Sequence, residues 1–236
     1  MVGLLEKTEK VLHLISVLPC LKRYTLVGGT GIAVQIGHRL SEDLDFCSFK
    51  QHVADKNRVD FAAIKKELEE VGKVDEVLVV EDSQVDLVFN GVKLTFFTND
   101  FTFRELKRIA VENNIFVADL PAAGAMKVYV LPYRAKFRDY YDIYSLLQLG
   151  VSIRDMVDGA ARLSKFQINT KNYLAKLING KRYEVDPNFA LLQPKYSVSA
   201  EDIEMVITAA VATAYGEKYD LKTVPNIPST AWNIAT

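Results

Sequence analysis

Two carboxylates one residue apart, Asp43 and Asp45, are the first residues whose type and spacing suggest chemistry. They lie in Asp43-Leu44-Asp45-Phe46-Cys47, an alternation that fits a strand with one polar face. Residues i and i+2 of a strand point the same way, so both carboxylates project together while Leu44 and Phe46 turn to the core. Two such charges repel unless a cation lies between them. A pair of magnesium ions about 3.5–4 Å apart suits them and suits phosphoryl or nucleotidyl transfer. The plain alternative is a solvated strand face, which explains most Asp-x-Asp pairs.

Upstream, Gly28-Gly29-Thr30 falls between a short apolar strand, Tyr24–Val27, and a helix read over Thr30–Arg39. Glycine lets backbone approach a ligand, and the free N–H groups of a helix start favour phosphate. A tight strand-to-helix turn is the simpler reading of Gly-Gly alone, and the spacing matches neither a P-loop nor a dinucleotide fingerprint. Taken together, a strand, Gly-Gly, one helix and a return to Asp-x-Asp hold a triphosphate beside its metals. Thirteen residues, Thr30 to Glu42, make that helix and return.

The elements that must position these groups are legible in part. An amphipathic helix is read through Leu4, Val11, Leu12, Ile15 and Leu18, and a second over Phe61–Val71. Val77–Val80 is a further apolar run. Val85–Phe89 and Val92–Phe97 flank Asn90-Gly91, the favoured two-residue hairpin turn. That turn pairs Phe89 with Val92 and sets Asp86 opposite Thr95. A helix is expected from Pro121 to about Leu131, where Pro132 interrupts, and another from about Lys136 to Leu149. Beyond Gly150 strand patterns are scarce. Helices are read over Ile153–Leu163, Thr170–Ile178 and Ala200–Tyr215, the last with Ser199 and Asp202 as a capping box. The expectation is an α+β fold: a mixed β-sheet flanked by helices over 1–150, a helical domain over 151–220, and an extended tail over 221–236.

Composition excludes several classes. The 236 residues are 49% hydrophobic and 25% charged with a net charge of -1, so no global charge marks a nucleic-acid binder. Cys20 and Cys47 lack metal-ligand spacing and point to a reducing compartment, and the expected location is the cytoplasm. Val11–Leu21 reads as part of a helix rather than a targeting segment, and no stretch reaches membrane-spanning length. His13, His38 and His52 form no cluster and are expected to be structural or exposed. Between Val151 and Lys195 eight Lys/Arg stand against four acids, a modest basic region that a solvated helical surface also explains.

The stretch Val27-Gly28-Gly29-Thr30-Gly31-Ile32-Ala33 and the stretch Gly37-His38-Arg39-Leu40-Ser41-Glu42-Asp43-Leu44-Asp45-Phe46 resemble the AbiEii-type nucleotidyltransferases. That family belongs to the DNA polymerase β-like superfamily and includes toxins of type IV toxin–antitoxin and abortive-infection systems. The resemblance continues through the hairpin to Phe97, in Ala123-Gly124-Ala125-Met126-Lys127, and in Arg138-Asp139-Tyr140-Tyr141-Asp142-Ile143-Tyr144-Ser145-Leu146-Leu147. It covers roughly the first 150 residues.

The resemblance implies a Mg²⁺-dependent transfer of a nucleotidyl group from an NTP to a hydroxyl, with RNA, tRNA in particular, as acceptor and a cognate antitoxin as partner. Asp43 and Asp45 become metal ligands and catalytic residues. Gly28, Gly29 and Thr30 become the nucleotide loop. Lys127 resembles the lysine that contacts the nucleotide phosphates, and Asp139 the carboxylate of the last motif; without the motif they read as a solvated lysine and an acid favoured in a first helical turn. Arg134 and Arg138 are expected to support phosphates or to pair with Asp139 and Asp142; Arg39 and Ser41 are expected to shape the turn before the aspartates. The family's third carboxylate falls where this chain has Thr95, a departure. Asp86, across the ladder and on the same face, is the expected substitute, as third metal ligand or as base. Two alternatives use the same residues: a phosphotransferase, and a catalytically weak nucleotide- or partner-binding module.

Overall fold

Asn90 and Gly91 take the positive φ values, 45° and 71°, that a tight hairpin turn demands, and the sheet grows outward from that turn. The molecule is described by a computed structural model over residues 2–50, 58–99, 106–178 and 186–219. His52, Lys181, Arg182, Glu184 and the 221–236 tail lie outside the described residues. The chain forms two compact units, 1–119 and 120–236.

The first unit runs α1 (Glu6–Ile15), β1 (Thr25–Leu26), α2 (Gly28–Ile36), β2 (Leu44–Phe49), α3 (Phe61–Val71), β3 (Val74–Val80), β4 (Gln84–Phe89), β5 (Val92–Asn99), β6 (Arg108–Glu112) and β7 (Ile115–Ala118). The strands make one mixed sheet in the order β3-β4-β5-β2-β1-β7-β6. β2 runs parallel to β5 and β1 parallel to β7; the other pairs are antiparallel. Phe89 pairs with Val92 and Asp86 with Thr95, as the turn predicts.

Alternation decides which face is buried. Leu44 and Phe46 of β2, Leu94 and Phe96 of β5, and Val85, Leu87 and Phe89 of β4 join one core with Val11, Leu12 and Ile15 of α1 and Ile64 and Leu68 of α3. Phe46 and Phe96 stack with centroids 5.2 Å apart, and Tyr24 meets Phe96 edge-on at 5.3 Å. The opposite face carries Asp45, Thr95 and Asp86 in one row.

Three differences from the sequence reading have physical causes. α2 stops at Ile36 rather than Arg39, because Gly37 turns left-handed (φ 57°) and its N–H closes on Ala33 O at 2.8 Å. The first helix ends at Ile15, and Pro19–Arg23 forms a separate 3-10 turn. The β6–β7 hairpin is absent from the sequence reading; its turn, Asn113-Asn114, has no glycine, and Asn113 itself takes φ 44°.

The second unit is helical: α4 (Leu120–Val130), α5 (Phe137–Gln148), α6 (Ile153–Leu163), α7 (Thr170–Leu177) and α8 (Ala200–Tyr219). α4 and α6 cross closely at small residues. A Cβ on Gly124 would lie 2.6 Å from Met156 Sδ, and one on Gly159 2.6 Å from Ala125 Cβ. Ser199 and Asp202 form the expected reciprocal cap of α8, with the Asp202 N–H donating to Ser199 Oγ at 3.1 Å and the Ser199 N–H to Asp202 Oδ2 at 2.9 Å. Compactness divides the chain at Asp119, whereas the change of sequence texture falls near Gly150. The difference arises because α4 and α5 pack with the later helices.

Candidate active site

The corner between β1 and α2 brings the sequence's two motifs together. The Val27 N–H donates to Asp45 O at 2.8 Å, tying the end of β1 to β2. Gly28 then takes φ +67°, and a Cβ there would stand 3.0 Å from Asp45 Oδ2. The Asp45 carboxylate therefore lies directly beside the glycine turn, in space that any side chain at 28 would need. A Cβ at Gly29 would collide with the Arg39 guanidinium, so a cation borders the same turn. The first N–H groups of α2 have no partner within the helix, the usual property of a helix start, and they favour anions.

The loop that delivers the aspartates is held on several sides. Thr30 Oγ1 is hydrogen-bonded to Ser41 Oγ at 2.7 Å and donates to Asp43 O. Its hydroxyl is buried and tied to the loop, so what Thr30 offers a ligand is backbone. The Ser41 N–H donates to Gly3 O at 2.9 Å, the Leu5 N–H to Ser41 O at 3.1 Å, and Thr8 Oγ1 to Glu42 O at 2.9 Å. Arg39 is buried and donates from Nη1 to Leu40 O at 3.0 Å. Arg39 and Ser41 do shape the turn. Asp43 and Asp45 remain half-exposed.

Asp86 and Asp45 pair with the same residue, Thr95, from opposite sides. Directly paired residues share a face, so all three side chains project together. Two strand spacings separate the two aspartates at the backbone, roughly 10 Å. Asp86 is 8% exposed, receives a hydrogen bond from Gln84 Nε2 at 2.9 Å and has Lys93 Nζ 3.2 Å from its Oδ2. Lys93 was not foreseen as a site residue, yet it lies two positions before Thr95 on the same face. Among the described residues no group of three or more His, Cys, Asp or Glu is placed to hold a metal.

The second unit holds the other predicted residues in a buried charge cluster. Lys127 Nζ lies 2.8 Å from Asp139 Oδ1 and 2.7 Å from Asp142 Oδ2, and both aspartates are fully buried. Arg134 adds Nη2 at 3.1 Å from Asp139 Oδ1 and Nε at 3.0 Å from Oδ2. Two cations thus balance two buried anions, Lys127 from inside and Arg134 from the exposed side of the cluster. Lys127 is therefore no solvated helix lysine. Arg138 turns elsewhere, donating to Asp186 Oδ2 at 2.7 Å. Asp142 as a holder of Lys127 was missed; its signal was the spacing Asp139-x-x-Asp142, which puts both acids on one side of α5.

The mixed sheet and the glycine–aspartate corner define a nucleotidyltransferase domain. The chain belongs to the AbiEii family, nucleotidyl transferase toxins of type IV toxin–antitoxin systems, whose model matches residues 13–209. A protein from Aquifex aeolicus with no described function is 26% identical over 143 residues, 61% of this chain and 66% of that protein, just under two thirds of its length. Among solved structures, the Helicobacter pylori protein JHP933 superposes with TM-score 0.52 at 16% identity, covering 93% of this chain and 96% of its own. A candidate nucleotidyltransferase from the same organism gives TM-score 0.52 at 14% identity, covering 94% and 99%. These two likenesses concern the fold alone. No helix among the described residues is long and apolar enough to cross a membrane.

Proposed function

We propose that this nucleotidyltransferase moves a nucleotidyl group from an NTP to a hydroxyl acceptor, RNA or tRNA in character, as the toxin half of a pair with a cognate antitoxin. The observation that carries the reading is the contact between Asp45 and Gly28. It joins an acidic row to a helix start that favours phosphate, within one corner of one unit.

The donor set fits magnesium. Asp43 and Asp45 offer only hard oxygen atoms, and Mg²⁺ commonly takes one or two carboxylates and completes its shell with phosphate and water. Asp43 and Asp45 would hold it, and its chemistry there is to neutralise charge on the triphosphate.

The chain's own groups supply the rest. The backbone N–H groups of Gly28, Gly29 and Thr30 donate to phosphate oxygens, with Arg39 adding positive charge beside Gly29. The acceptor oxygen forms a bond to the α-phosphorus while the α-phosphorus–oxygen bond to the β-phosphate breaks, and pyrophosphate leaves. Asp86 takes the acceptor's proton. Its distance along the row from Asp45 suits a base better than a ligand of the same ion. In the second unit Asp139 and Asp142 hold the ammonium of Lys127, the lysine that resembles the family's phosphate-contacting one.

Incubation with α-labelled and γ-labelled NTP tests the reaction class. Label from the α position on the acceptor supports nucleotidyl transfer; label from the γ position alone makes the protein a phosphotransferase. The reading of a weak nucleotide- or partner-binding module is favoured by one feature, the threonine at 95, and it predicts no transfer from either label.

A further inference from the structure

Lys93 lies on β5, the strand between β2 and β4, and its register gives it an acidic neighbour on each side. Leu94 pairs with Leu44 of β2 and with Leu87 of β4, and all three belong to the core. Alternation therefore turns Lys93 to the opposite face, the one that carries Asp45, Thr95 and Asp86. Carrying the β2–β5 register back one residue from Leu44–Leu94 sets Asp43 alongside Lys93, one strand spacing or about 4.8 Å away at the backbone. Asp86 stands on the diagonal of the β4–β5 ladder, a position that a long side chain reaches. Lys93 Nζ is 3.2 Å from Asp86 Oδ2.

The two partners in this contact differ in burial. Asp86 is buried, and its other oxygen, Oδ1, accepts from Gln84 Nε2 at 2.9 Å, so the carboxylate is held on both sides. The Lys93 side chain is 43% exposed. Asp86 engages one side of an ammonium that has three hydrogens to give, and the rest of it meets solvent over the acidic row. Each Asp86 oxygen has a second lone pair, so the same carboxylate is still able to take a proton.

We propose that Lys93 is a phosphate-binding residue of this site: a fixed monovalent cation, held over the row by Asp86 and beside Asp43, that meets the triphosphate where a second divalent ion would otherwise lie. Three carboxylates, Asp43, Asp45 and Asp86, then face one divalent ion and one ammonium, and the charges balance before the nucleotide arrives. A lysine suits the task as a point charge on a flexible stem. The inference rests on the transfer reading above for the nucleotide's use; the effect of Lys93 on ion and polyphosphate binding does not.

The test titrates the full chain at low salt, where charge effects are least screened, with two probes. Mn²⁺ alone is followed by the loss of its free-ion electron paramagnetic resonance signal, and inorganic tripolyphosphate at saturating Mg²⁺ by calorimetry. Lys93→Met removes a like charge beside Asp43, so Mn²⁺ is expected to bind about three- to tenfold more tightly. The same variant is expected to bind tripolyphosphate about three- to tenfold more weakly. Lys93→Gln should follow it, and Lys93→Arg, which keeps the charge, should stay within about twofold of wild type for both probes. Thermal midpoints confirm that the variants are folded. The opposite signs are the signature, because a purely structural lysine would weaken both probes together. Weakening of both in the neutral variants overturns the proposal, and so does unchanged tripolyphosphate binding, which would make Lys93 only a screen for Asp86. Opposite shifts in a protein that transfers no label from α-labelled NTP sink the transfer reading and leave Lys93 as the cation of the row. Label transfer with neither affinity moved by Lys93→Met sinks this proposal and leaves the transfer reading standing.

Discussion

Gly28 and Asp45 share one small volume: the carboxylate of Asp45 lies where a side chain at position 28 would begin. The glycine's φ of +67° compounds the constraint, since an L side chain rarely adopts it. Gly28→Ala should therefore displace Asp45 or straighten the turn. The expected result is a loss of transfer of about 100-fold, the scale of a one-ångström misplacement. The stability cost should be only about 1–2 kcal/mol. Transfer rates and urea melts of the same variant check both figures.

Asp86 and Thr95 give a second prediction, because only one of them carries a charge on the acidic row. Asp86→Ala is expected to lower transfer by about 100-fold or more, the range for a lost general base. Thr95→Ala should change it by less than about tenfold. The opposite ranking, measured under identical NTP and metal, would falsify the assignment of Asp86.

The buried cluster in the second unit gives a prediction about folding. Lys127→Met removes one of two cations that balance Asp139 and Asp142, both fully buried. Breaking a buried pair from one side costs about 3–5 kcal/mol. Adding Asp142→Asn to that variant should recover part of the loss. Denaturant midpoints of wild type, single and double variants form the check, and an unchanged midpoint in Lys127→Met would show that water reaches the cluster.

Alkaline pH should loosen the protein in a defined window. Burial pushes the Cys47 thiol up from its ordinary 9.0, and pushes Tyr24, Tyr140 and Tyr141 from 10.0 up to about 12. These groups are neutral when protonated, so the folded state favours the protonated form. Their contribution is fully present below the ordinary values and is lost as pH rises through them toward the folded ones. The urea midpoint should hold steady to about pH 9 and then fall toward pH 12. Cys47→Ala should delay the onset of that fall, and a midpoint that rises above pH 9 would contradict the burial of these groups.

Much of this architecture is legible in the residues, and the illegible parts share a cause. Asn90-Gly91 dictates a turn locally, so the register that sets Asp86 opposite Thr95 follows by counting. Ser199 and Asp202 likewise announce the start of α8. Gly37 carries a local signal too, as the left-handed end of α2, but its place inside a longer helical pattern hid it. Asn113-Asn114 gives a weaker turn signal, and the β6–β7 hairpin escaped notice. The pairing of β2 with β5, which completes the row Asp45–Thr95–Asp86, joins strands distant in sequence and leaves no local mark. The same holds for Lys127, whose two aspartate partners lie on another helix. Periodicity reports which face of an element is apolar; it does not report which polar side chains meet across elements.

The most direct test of the account is transfer of α-labelled NTP by the Asp45→Asn protein beside wild type. Asparagine keeps the shape next to Gly28 and removes the charge. The account predicts that label transfer and growth inhibition on expression both fall to background while the thermal midpoint stays within a few degrees of wild type. Transfer at the wild-type rate, or undiminished growth inhibition, from a folded Asp45→Asn protein would contradict it.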